Sequence, residues 1–182
     1  MAPGALRVNR AVRFAPLALL LLVIAAMVWR LATPTSSNVP SKLEGKPVPE
    51  FDLGPALDTK PALTSRDLAT GRPRLLNIFA SWCVPCVAEV KVLQQLKARG
   101  VTIDGVAIRD TPEDVADFLA RNGDPYERIG SDPQSELQIA LGSSGVPETF
   151  IVDGRGIIRF QQIGPIEPAD VPMILQKLEQ AR

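Results

Sequence analysis

Hydrophobic residues fall into distinct patterns along this chain, and each pattern predicts an element. Residues 14–29 are uncharged and almost wholly apolar, with LALLLLVIAAMVW at their heart. Pro16 sits at the start of that run, where a helix tolerates proline. Residues 74–80, RLLNIFA, make an apolar run of strand length. Val87, Val90, Leu93 and Leu96 then recur every third residue, which predicts a helix over 85–98 closed by Gly100. Residues 101–108 read as a second strand. Thr111-Pro112-Glu113-Asp114 gives a cap, an early proline and acids, opening a helix through Phe118 and Leu119. Asp132-Pro133 opens a short helix through Leu137 and Ile139. Residues 149–152 and 156–163 flank Asp153-Gly154, a hairpin signal, and 168–181 close with a helix. The order βαβα and then ββα predicts an α/β domain with a mixed central sheet covered by helices.

Charge divides the chain in two. The 182 residues carry 20 basic and 20 acidic side chains, a formal net charge of zero. Arg7, Arg10, Arg13, Arg30 and Lys42 precede the first acid, Glu44, so residues 44–182 hold the remaining 15 bases against all 20 acids. The arginines before the apolar run mark a cytoplasmic N-terminus, and Trp29 and Arg30 suit the far interface of a membrane. Extended to Ala32, the run approaches the ~20 residues that span hydrocarbon. A cleaved signal is the alternative, but Met27-Val28-Trp29-Arg30 lacks the small residues of a cleavage site. Residues 33–49, rich in proline and serine, read as a semi-extended spacer. The predicted layout is a cytoplasmic 1–13, a transmembrane helix 14–32, a linker 33–49 and an exported domain 50–182.

Composition excludes much chemistry. There is no histidine, hence no Ser-His or Cys-His pair and no imidazole base or metal ligand. Two cysteines build neither a four-thiolate zinc site nor an iron–sulfur cluster. No Gly-rich phosphate loop is present, and the acidic exported part argues against nucleic-acid binding.

Cys83-Val84-Pro85-Cys86 follows a predicted strand and opens a predicted helix. Unpaired N–H groups and the positive end of the helix dipole favour a thiolate there. Cys83 is placed at the exposed tip as nucleophile, and Cys86 inside the first turn as resolving thiol. Pro85 stiffens the loop, and Trp82 supplies an apolar platform beside the sulfur. A structural disulfide is a poorer reading, because four-residue spacing closes a tiny loop. A soft-metal site such as Cu(I) lacks further ligands, since Met1, Met27 and Met173 lie elsewhere in the sequence.

Ala80-Ser81-Trp82-Cys83-Val84-Pro85-Cys86 resembles the active-site stretch of membrane-anchored thioredoxin-like proteins. Gly45-Lys46-Pro47-Val48-Pro49-Glu50-Phe51-Asp52-Leu53 resembles the lead-in of the DsbE/CcmG family, the thiol:disulfide interchange proteins of cytochrome c maturation. The blocks GVAIRD at 105–110, GDPY at 123–126 and GVPETF at 145–150 resemble the later parts of that family, in order, over 45–165. Ser143-Ser144 departs from it where an aromatic is common.

The resemblance implies a thioredoxin-like fold and particular roles. Pro147 is implied to be cis opposite the cysteines, leaving Val146 to pair with a target strand. Glu89 and Glu148 match acidic positions of the family and are expected to tune thiol pKa values. Asp110 and Tyr126 read as a helix-approach acid and a half-buried core aromatic. The family further implies reduction of the C-x-x-C-H disulfide of apocytochrome c, directly or through maturation proteins. It implies a membrane electron donor of the DsbD or CcdA kind and no cofactor beyond the Cys83–Cys86 disulfide. The expected setting is a monomer anchored singly in the bacterial inner membrane, with its domain in the periplasm. The rival functions are a general extracytoplasmic reductant of the TlpA or ResA type and a copper-binding thiol module.

Overall fold

The structure is a computed structural model describing residues 10–32 and 43–182, with side chains from Pro16 to Arg30 in the first stretch. The chain divides after Val39 into two units. The first contains α1 (Arg10–Ala32), whose side chains from Leu17 to Trp29 are exposed. No helix among the described residues is long and apolar enough to cross a membrane. The transmembrane assignment to 14–32 thus has a helix beneath it but not a described span. Residues 1–9 and 33–42, including Arg7 and most of the predicted linker, lie outside the described residues.

The second unit is the expected α/β domain. Its main sheet has the order β5-β4-β3-β6-β7. At the centre is β3 (Arg74–Phe79), every residue of it buried. It pairs in parallel with β4 (Ile103–Ile108), which pairs in parallel with β5 (Ile129–Asp132). On its other side it runs antiparallel to β6 (Glu148–Val152), followed by β7 (Ile158–Ile163). Flanking the sheet are α2 (Val84–Ala98), α3 (Pro112–Asn122), α4 (Glu136–Ala140) and α5 (Val171–Gln180). A two-stranded sheet, β1 (Asp52–Leu53) with β2 (Leu63–Thr64), was not expected.

Three local readings shift. The linker's last residues belong to the domain: Gly45 N–H donates to the Ile158 carbonyl, Val48 N–H to that of Gly156, and Val48 is buried. The short helix begins at Glu136, although Asp132 does cap it, its carboxylate accepting the N–H groups of Glu136 and Gln138 at 2.8 and 3.1 Å. Tyr126 is fully buried, stacked on Phe79 with ring centroids 4.7 Å apart. Gly105 makes room for that stack, since a Cβ there would lie 2.9 Å from both rings.

Candidate active site

After β3 the chain leaves the sheet through Ala80, Ser81 and Trp82 and turns into α2. Cys83 is the N-cap of that helix: its Sγ accepts the N–H of Cys86 at 3.2 Å. Pro85 occupies the first turn, where its missing N–H costs nothing. Cys83 and Cys86 form a disulfide with their Cα atoms 5.2 Å apart. Cys83 does not project as expected; it is 4% exposed, because its sulfur folds back over the helix end. The exposed tip is apolar instead, made by Trp82, Val84 and Val87.

Asp110 anchors the loop leading into the cysteines. Its carboxylate accepts the Ser81 amide and the Ser81 hydroxyl, each at 2.7 Å. Arg109 just before it has φ 51, a left-handed turn that leads from the end of β4 into this contact. The Arg109 side chain donates to Ser135 Oγ at 3.0 Å. Burial, more than the nearby charge of Asp114, lifts the Asp110 pKa against the two Ser81 donors. Asp110→Ala strands both donors. We expect it to lower unfolding free energy by about 1–3 kcal/mol, measured in urea, and to slow disulfide exchange; unchanged stability and rate would show that the loop does not need this anchor.

Two carboxylates are buried near the disulfide's end of the sheet. Glu89 lies one helical turn beyond Cys86 and is 1% exposed. Its Oε1 accepts the Ile166 amide at 2.9 Å and its Oε2 the Asn77 side-chain amide at 3.2 Å. Asn77 in turn donates to Thr149 Oγ1 and accepts the Tyr126 hydroxyl. Burial pushes Glu89 up to about 7, outweighing the donors Ile166, Asn77 and Thr149. Glu148 opens β6 opposite Ile78. Its Oε1 accepts the amide and hydroxyl of Ser144 at 2.8 and 2.6 Å, and its Oε2 accepts Gln161 at 2.8 Å. The Val146–Pro147 peptide is cis. Val146 is half-buried, and its backbone makes no hydrogen bond among the described residues. No cluster of three or more His, Cys, Asp or Glu residues that could hold a metal ion occurs among the described residues.

Residues 43–178 match the Redoxin family model. The chain is 38% identical over 165 residues to the thiol:disulfide interchange protein DsbE of Escherichia coli K12, covering 88% of this chain and 89% of the relative. The chain belongs to the DsbE family. It is 39% identical to the thiol:disulfide interchange protein HelX of Rhodobacter capsulatus over 153 residues, 84% of this chain and 86% of that one. A crystal structure of a putative DsbE protein from Chlorobium tepidum superposes with a TM-score of 0.64 at 29% identity, covering 76% of this chain and 96% of its own. The fold is thioredoxin-like, and the protein is a thiol-disulfide oxidoreductase, as its relatives are.

Within this DsbE-family fold, the residues singled out in the sequence fall on two neighbouring segments. Trp82, Cys83, Pro85, Cys86 and Glu89 lie on the β3–α2 junction; Val146, Pro147 and Glu148 lead into β6 beside it. Sequence reasoning missed the partners: Ser81, Asn77, Thr149, Ser144, Gln161 and the Ile166 amide. Asn77 carried a readable signal, a polar residue between Leu76 and Ile78 in a strand-length apolar run, which must find partners when buried. Asp110 and Tyr126 do more than their bland readings, one holding the loop and the other joined to Asn77.

Proposed function

We propose that this chain is a membrane-tethered reductant that opens the C-x-x-C-H disulfide of apocytochrome c, directly or through a maturation protein, before haem ligation. One observation carries the proposal: Cys83 caps α2 with its sulfur on the Cys86 amide, ringed by exposed Trp82, Val84 and Val87. The helix end favours a thiolate on reduced Cys83, and the apolar ring receives the target. The Cys83 thiolate attacks one target sulfur; the target disulfide breaks and the other sulfur leaves as a thiolate. Cys86 gives its proton to the Glu89 carboxylate and attacks the Cys83 sulfur. The second target thiolate departs, two electrons have passed to the target, and the Cys83–Cys86 disulfide is restored. The unpaired backbone of Val146, beside Pro147, pairs with the target's extended segment. Glu148, oriented by Ser144 and Gln161, sets the charge facing it. A membrane donor of the DsbD or CcdA kind returns the electrons.

The tether in this reading is α1, inserted with Arg7, Arg10 and Arg13 on the cytoplasmic side of the bacterial inner membrane. A single domain then works in the periplasm as a monomer. The charge division and the apolar run support it. The test is capture in cells with Cys86→Ser. Apocytochrome c or its maturation proteins joined through Cys83 are the expected catch. Recovery of unrelated exported proteins alone would overturn the assignment in favour of a general TlpA- or ResA-type reductant. Stoichiometric copper on the reduced thiols, without insulin reduction, would make the chain a binding module.

A further inference from the structure

The pole of the domain away from the cysteines is lined with arginine. Two adjoining cavities, about 450 and 580 Å³, share Gly71 and Arg182. Arg155 and Arg159 line the first, Arg72 and Arg99 the second, and among the described residues no lysine lines either. The floor of the larger one is apolar, with Pro73, Val101, Leu175 and Leu178. These five arginines are a third of the 15 bases in a part of the chain that carries 20 acids.

Most of this charge is available. Arg72 and Arg99 are exposed and form no ion pair among the described residues. Arg155 is 78% exposed and reaches Asp153 only at 3.5 Å. Arg182 pairs with Glu179 across an exposed surface, a contact easily exchanged. Arg159 alone is fully engaged, both its Nε and an Nη atom lying on Asp153. The platform is stiff: Gly71 N–H donates to the Gly154 carbonyl at 2.9 Å, and a Cβ on Gly154 would collide with the Gly71 backbone. The loop bearing Arg72 and the turn bearing Arg155 are therefore packed together.

Position gives the pole its meaning. The chain enters the domain here, because residues 45–48 pair with Gly156 and Ile158, next to Arg155. From this end β3 runs about 20 Å before the chain reaches Cys83 at the opposite end. Guanidinium groups bind phosphate bidentately, which suits them to headgroups more than lysine is suited.

We propose that this arginine pole docks on the anionic phospholipid headgroups of the membrane that holds the tether, turning the disulfide away from the bilayer. The proposal rests on the tether assigned above. Docking of this kind weakens with salt, because exposed charges are screened beyond about 8 Å at physiological ionic strength.

The test uses the isotope-labelled full chain in nanodiscs that contain a nitroxide-headgroup lipid. With phosphatidylglycerol present, the amide signals of Gly71, Gly100 and Gly154 broaden severalfold more than the indole signal of Trp82. In phosphatidylcholine alone, or in Arg72→Gln/Arg99→Gln/Arg155→Gln/Arg182→Gln, that contrast disappears while insulin reduction is retained. Broadening that ignores both phosphatidylglycerol and the substitutions overturns the docking, as an acidic protein partner on this pole would predict. Broadening centred on Trp82 overturns it as well. A chain that does not enter the discs overturns the tether and the docking with it.

Discussion

Cys83→Ser lowers insulin reduction to background, while Cys86→Ser retains the attack and loses the release. Removal of a covalent nucleophile costs roughly a thousandfold or more in turnover. The two cysteines differ because the helix treats them differently. The Cys83 sulfur is the N-cap acceptor and faces the positive end of α2, so its thiolate is stabilised. Cys86 lies inside the first turn and donates its own N–H to that sulfur, and in the proposed reaction it meets only a sulfur already bound to Cys83. In Cys86→Ser the mixed disulfide with insulin therefore accumulates on Cys83 and is visible by mass spectrometry. A mixed disulfide formed through Cys86 in Cys83→Ser, with turnover retained, would reverse the assignment.

The parts of this molecule governed by local pattern are legible in the sequence. The stripe through Val87, Val90, Leu93 and Leu96 marked α2, although its first member, Val87, is exposed at the tip rather than in the core, and the apolar run 74–80 marked the central strand. The strand β5 was not legible, since Ile129 is its one large apolar residue. Its burial comes from a distant segment: a Cβ on Gly130 would lie 2.9 Å from Leu53 and 3.2 Å from Leu63. Cover supplied by β1 and β2 leaves no trace in the sequence of β5 itself. The site divides along the same line. Trp82, Cys83, Pro85 and Cys86 are contiguous and announce themselves. Glu89 was readable in part, because the spacing 86, 89, 93 places it on the buried face of α2. The clamp on Glu148 draws on Ser144 and on Gln161 from the next strand. Ser143-Ser144, read as a gap in the family pattern, supplies half of that clamp.

Glu89→Gln removes most of a pH dependence of stability that the native chain shows between about pH 4.5 and 7. The carboxyl has its ordinary value of 4.5 when unfolded and is pushed up to about 7 by burial in the fold. Within that window the native state binds more protons than the unfolded state, so stability falls as pH rises. The stabilisation is complete below the unfolded value and is lost once pH passes the folded one. A separation of this size corresponds to about 3 kcal/mol. The absence of histidine keeps this pH range quiet. Asp104 and Asp110, both raised by burial, titrate in both proteins and cancel in the comparison. Urea unfolding across the range reads the difference directly: the native slope is downhill and that of Glu89→Gln is much flatter. The same substitution removes the acceptor for the Cys86 proton, so the inflection near neutrality in the resolution rate disappears with it. Equal slopes in the two proteins would mean that burial does not raise Glu89 in the fold, leaving it too weak a base to hold the Cys86 proton near neutrality.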